Sequence, residues 1–212
     1  MLRQFLYSAK HRVRAYTAGM NNVFGLDERA REQLGYLLLA MIFALAYTVL
    51  RAQLNTEYRG ATWQQLYDLN AAIPFGSRIL VPLLSRPLVA LGLEVHQAYM
   101  VWEWFAALSL VLGLRTLLAM YTATRWARVL ALAVFLVLPL AYLLRFRWPV
   151  YYPYDTPALA FMVWGLYCLL SRRWVLLLVL TALGNLNRES FILVTAIFVV
   201  MAIDRLPRPR FV

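Results

Sequence analysis

The chain has 212 residues, of which 63% are hydrophobic and 15% charged, and carries a formal charge of +11. Soluble domains lie nearer half apolar and a quarter charged, so this composition excludes an ordinary soluble fold and predicts a multi-pass membrane protein with room for about six spans of ~20 residues each. The basic residues, nearly all arginine, are scattered between apolar runs. That scatter argues against nucleic acid as a partner and for arginine marking cytoplasmic loops.

Residues 1–33 are basic and amphipathic, with Phe5, Leu6, Val13 and Tyr16 alternating with Arg3, Lys10, Arg12 and Arg14. They read either as a helix on the cytoplasmic lipid surface or as a charged flank to the first span. The domain proper is expected over 34–204, followed by a basic cytoplasmic tail at 205–212. The first span runs from Leu34 to Leu50, and a polar external loop occupies 51–97. Within that loop, 79–93 is apolar but short and broken by Pro82, Arg86 and Pro87. If 79–93 does not cross, Arg125 with Arg128, Arg172 with Arg173, and the tail all fall on the cytoplasmic side. If it crosses, all three fall outside. The non-crossing arrangement is therefore expected, with two short helices near 61–72 and 78–93. Further spans follow at about 98–120, 127–144, 156–170, 174–185 and 190–203. The expected fold is an all-α polytopic bundle with both termini cytoplasmic.

This topology collects the unusual polar residues at the outer face: Glu57, Arg59, Asp68, Arg78 and Arg86, then Arg145, Arg147 and Asp155, then Asn185, Asn187, Arg188 and Glu189. Charges beside an apolar boundary should pair or line a wet cavity. Arg188 and Glu189 suit either a site or a structural ion pair with Asp155 or another outer acid. Asp155 before Thr156-Pro157 also suits a helix cap. Arginine forks fit phosphate oxygens, and a carboxylate can act as base or hold a divalent ion. Trp148, Tyr151, Tyr152 and Tyr154 could stack on sugar rings or belong to an interfacial aromatic belt. Glu103 is expected near the outer end of its span and Arg115 near the inner face; neither is assigned chemistry. Cys168 is the single cysteine and the two histidines lie far apart, so no disulfide or imidazole metal site is indicated.

The segments TEYRGATWQQLYDLN, PFGSRILVPLL, YYPYDTPALAFMVWGLYCLL and LGNLNRES, set on one span followed by a long external loop, resemble the GT-C superfamily of integral-membrane glycosyltransferases. The resemblance covers about residues 34–204 and is architectural. It implies sugar transfer from a polyprenyl-phosphate donor at the external face of a bacterial inner membrane. It also implies an acidic base or metal ligand, magnesium or manganese, in the first external loop. That role falls on Glu57 or Asp68, with Glu57 preferred. Arg78 and Arg188 would meet the donor phosphate, and Arg59, Tyr152, Tyr154, Asp155, Asn187 and Glu189 would complete the substrate site. The first external loop lacks the paired acids of that group. That lack leaves a second expectation, a non-catalytic scaffold or lipid- or glycan-binding subunit of an envelope-assembly complex. A small transporter ranks third, since no internal repeat is evident.

Overall fold

A computed structural model describes residues 27–142 and 150–203. Most of the amphipathic segment 1–33, Arg145, Arg147, Trp148 and the 205–212 tail lie outside the described residues. The described residues are all-α, and their only β pairings are the isolated bridges Thr56–Val150 and Tyr58–Ala61. The chain divides into two compact units, 1–39 and 40–212. In the first, helix α1 (Glu28–Leu54) starts behind Asp27, whose carboxylate accepts the Ala30 N–H at 2.6 Å. That bond satisfies one of the amide groups a helix start leaves open.

The second unit begins within α1 and continues through α2 (Trp63–Tyr67), α3 (Leu80–Ala90), α4 (Val95–Leu118), α5 (Thr124–Leu132), α6 (Val134–Tyr142), α7 (Asp155–Leu170), α8 (Trp174–Asn187) and α9 (Ile192–Ile203). Short 3₁₀ turns at Phe75–Ser77 and Glu189–Phe191 precede α3 and α9. Among the described residues, three stretches are long and apolar enough to cross a membrane: α1, α4, and α5 with α6 taken together over Thr124–Ala141. The expected six comparable spans are not all present at that length. The helices α7, α8 and α9 are apolar but shorter, and α5 is separated from α6 by a break at Ala133.

Burial explains why these helices pack as they do. On α1, Ala40, Ala44, Tyr47, Thr48 and Arg51 are buried at three- and four-residue intervals, while Ile42, Phe43, Leu45, Val49 and Leu50 are exposed. A single buried stripe on an otherwise apolar helix is the pattern of a helix that faces protein on one side and lipid on the other. Two contacts set the relation of α4 to α7. Thr156 donates to Glu103 near the start of both helices, and the Trp164 indole donates to the Ser109 carbonyl further along. Residue number rises together on the two helices, so they run parallel. The Trp104 indole reaches the Met41 carbonyl and Arg51 reaches Glu103, so this part of α1 meets α4 about residues 103 and 104.

Close approach elsewhere depends on glycine. Gly165 on α7 and Gly184 on α8 form a notch for the Phe191 ring, and a Cβ at Gly184 would lie 2.6 Å from its Cγ. Phe191 joins Cys168, Leu169, Leu177 and Val194 in one apolar cluster. A second cluster, Ala61, Leu66, Val81, Tyr99, Tyr151 and Tyr154, fastens the 55–79 segment onto the start of α4.

Candidate functional site

The end of α1, the starts of α4 and α7, and the end of α8 meet at one end of the second unit, and their charges form a network. Arg51 is fully buried. Its Nη1 donates to Glu103 Oε1 at 2.5 Å and to Thr156 Oγ1 at 2.6 Å, and its Nη2 lies 3.5 Å from Asp155 Oδ2. Thr156 Oγ1 and Glu103 Oε1 are 2.6 Å apart. Arg188 Nη1 closes the chain on Asp155 Oδ1 at 2.6 Å. Two guanidinium groups thus face two carboxylates, which satisfies the requirement that charges in an apolar interior be paired. Glu103 Oε2 is buried with no hydrogen-bond donor among the described residues.

Asp155 is not the cap of α7, as its sequence context suggests; Tyr154 holds that position. Asp155 is the first helical residue, and its carboxylate is turned between the two arginines. The pairing of Arg188 with Asp155 is one of the alternatives read from the sequence. The partnership of Arg51 with Glu103 is not. Its signal was a lone carboxylate two turns inside an apolar run, which must find a cation.

Beside this network, Arg78 makes a second pair. Its Nη2 and Nε donate to Glu189 at 2.7 and 3.3 Å, and its guanidinium lies 4.6 Å over the Tyr154 ring. Burial opposes the charge on Arg78, but its hydrogen bond to Glu189 together with its interactions with the Tyr154 and Glu189 oxygens holds the guanidinium above its ordinary value. In return, the hydrogen bond from Arg78 holds Glu189 below the usual carboxylate range. Burial pushes the Tyr154 phenol up, with Arg78 opposing.

The rings form a ladder. Tyr152 stacks on Tyr154 and on Phe75, each at 5.5 Å between centroids, and Tyr58 packs against Phe75 and Tyr152. Tyr154 is only 1% exposed, so it belongs to the framework, and Tyr58, at 40%, is the most open ring of the ladder. Asn187 is also framework: it is fully buried and its side-chain amide donates to the Tyr154 carbonyl at 2.9 Å.

The two candidate catalytic acids stand apart from the network. Glu57 is exposed, and its Oε2 accepts the Trp63 N–H at 3.1 Å, at the first residue of α2. It lines an open cavity of about 450 Å³ with Trp63, Gln64, Glu94 and His96. The indole of Trp63 stacks on the His96 ring at 4.3 Å. Asp68 caps the end of α2, accepts both its hydrogen bonds from Gln64 at 3.1 Å, and does not line that cavity. Arg59 is exposed. Among the described residues, no group of three His, Cys, Asp or Glu side chains is placed to hold a metal ion.

A separate apolar cavity of about 250 Å³ lies between α3, α4, α7 and α8, lined by Leu80, Trp102, Phe105, Phe161, Trp164 and Leu180 among others. It begins two residues from Arg78 and two from Asp155, through Leu80 and Pro157.

Comparison of the chain with protein-family models, with curated proteins and with solved structures gives no match.

Proposed function

We propose that the chain is a six-span membrane protein with a GT-C-like layout, which transfers a sugar from a polyprenyl-phosphate donor at the external face. The contact of Arg51 with Glu103 supports the topology. It joins the end of α1 to the beginning of α4, so the connection through α2 and α3 starts and finishes on one side. Helix α3 is short, at 11 residues, and carries Arg86 and Pro87 within it, whereas α9, at 12 residues, holds neither a charge nor a proline. With the N-terminus cytoplasmic, the network and the Glu57 cavity face outward. The shorter helices α7, α8 and α9 then cross with local thinning of the bilayer.

The observation that carries the activity is the position of Glu57. One carboxylate oxygen is fixed by the Trp63 N–H while the residue lines an open cavity. In this reading Glu57 accepts the proton of an acceptor hydroxyl. The hydroxyl oxygen bonds to the anomeric carbon, and the bond from that carbon to the donor phosphate breaks, releasing polyprenyl phosphate. Glu57, not Asp68, takes the role, because the Asp68 carboxylate is committed to Gln64. The test is release of polyprenyl phosphate from polyprenyl-phosphate hexoses by the full chain in proteoliposomes, with membrane extract as acceptor. Loss of release in Glu57→Gln with retention in Asp68→Asn supports the reading; no release by the unaltered chain, or full release by Glu57→Gln, overturns it.

A second reading, a non-catalytic lipid-binding subunit, is favoured by one observation. Arg51, Arg78 and Arg188 are each already matched to a carboxylate, beside a cavity with apolar walls. It gives the opposite result in the same assay.

A further inference from the structure

Within the second unit every described acid, namely Glu57, Asp68, Glu94, Glu103, Asp155 and Glu189, lies at or beside the networked end. The opposite end carries Arg115, Arg125, Arg128, Arg172 and Arg173. At that end a second apolar crevice, about 240 Å³, opens between α8 and α9, lined by Trp174, Leu177, Leu178, Thr181, Val194 and Phe198 with Thr195. Its mouth is basic. Trp174, the first residue of α8, directly follows Arg172 and Arg173, both exposed. The Arg173 guanidinium stands 5.4 Å over the Tyr167 ring. Tyr167 and Phe198 pack against the same apolar cluster that supplies Leu177 and Val194 to the crevice. The Trp174 ring, half exposed, rests 5.5 Å from Phe198.

We propose that this crevice binds one anionic phospholipid of the cytoplasmic leaflet, with an acyl chain between α8 and α9 and the phosphate on Arg172 and Arg173. The assignment rests on the six-span topology above and not on the transferase activity. Charge complementarity selects the occupant: a hydrocarbon slot whose Trp174 wall directly follows two exposed arginines, with no described acid of the unit at that end, matches a hydrocarbon chain ending in a phosphate. Arginine donors suit that phosphate. The cytoplasmic leaflet supplies anionic lipid, which attracts arginines near its surface. A free phosphate would use the arginines and leave the crevice unfilled. A zwitterionic lipid would fill the crevice without exploiting the charge.

The full chain in phosphatidylcholine vesicles, doped with phosphatidylglycerol, tests this. Either lipid is supplied with brominated acyl chains, which quench indole on contact. The Trp174 signal is the difference between the unaltered chain and Trp174→Phe. The expected result is stronger quenching by brominated phosphatidylglycerol than by the same fraction of brominated phosphatidylcholine. That preference should be lost in Arg172→Gln/Arg173→Gln, kept in Arg125→Gln, and indifferent to added inorganic phosphate. Equal quenching by the two lipids overturns the proposal, as does a preference that survives the double variant. So does one that Arg125→Gln removes equally, which would report a diffuse surface field, or one that inorganic phosphate abolishes. Quenching by brominated phosphatidylcholine shows in the same samples whether the chain lies in the bilayer, and thiol labelling of Arg125→Cys in intact cells shows which side its arginine-bearing end faces, so failure of the lipid site and failure of the membrane topology are distinguishable.

Discussion

Arg51 and Glu103 stand on different helices, are both fully buried, and meet at 2.5 Å. Asp155 and Thr156 bring α7 into the same contact, and Arg188 adds the end of α8. Four helix ends are thereby held together by charges, of which Arg51 and Glu103 have no aqueous alternative. Removing one partner strands the other: Arg51→Met or Glu103→Leu is expected to cost about 3–5 kcal/mol, while the double replacement costs clearly less than the two singles combined. Unfolding of the detergent-solubilised chain by heat or denaturant measures this. Additive losses would mean that the two residues act independently.

The Phe191 notch makes a second prediction. A methyl group at Gly184 would meet the Phe191 ring at 2.6 Å, and one at Gly165 would meet it at 2.8 Å. Gly184→Ala should destabilise by about 1–3 kcal/mol through overpacking, and Phe191→Leu in the same chain should recover part of the loss. The same unfolding assay decides, and a neutral Gly184→Ala would show that the notch is loose.

Acid should weaken the attachment of the 55–79 segment. Glu189 is held below the ordinary carboxylate range by Arg78. Its contribution is therefore complete above the ordinary carboxylate value and is lost as pH falls through the depressed one. Glu189 is largely exposed, so the effect is small. Limited proteolysis within 55–79 should speed up on acidification in the unaltered chain, and Glu189→Gln should show that speed already at neutral pH. An unchanged Glu189→Gln digestion profile would dissociate the ion pair from the segment.

The cavity beside Glu57 makes a prediction about aromatic support. Trp63 both supplies the N–H that holds Glu57 and stacks on His96. Trp63→Ala keeps the backbone N–H but removes the stack. Transfer, measured as release of polyprenyl phosphate, should fall while Asp68→Asn leaves it near the unaltered level. Equal activity in both variants would separate the cavity from the chemistry.

Several features were legible in the sequence for stated physical reasons. The two short helices of the 51–97 segment appear at Trp63–Tyr67 and Leu80–Ala90, where an amphipathic stretch and a short proline-bearing apolar stretch predict them. Arg188 meets Asp155, as its position in a tight turn allowed. The Arg51–Glu103 pair escaped because Arg51 reads as a flank to an apolar run and Glu103 as the outer end of its own span, and only the packing of α1 on α4 joins them. The roles of Tyr154 and Asn187 escaped because composition does not distinguish an exposed stacking ring from a buried one. The break at Ala133 has no proline, glycine or charge at the position itself to announce it.

Topology tests the central claim most directly, since it decides whether Glu57 and the arginine network share one external face. Cys168 is the only thiol in the chain and is buried, so Cys168→Ala gives a silent background. Single replacements Arg59→Cys, Leu91→Cys and Arg125→Cys sit at exposed positions before α3, after α3 and at the start of α5. Labelled in intact cells with a membrane-impermeant thiol reagent, the first two should react and Arg125→Cys should react only after permeabilisation. Protection at 91 together with labelling at 125 would mean that α3 crosses, which contradicts the account.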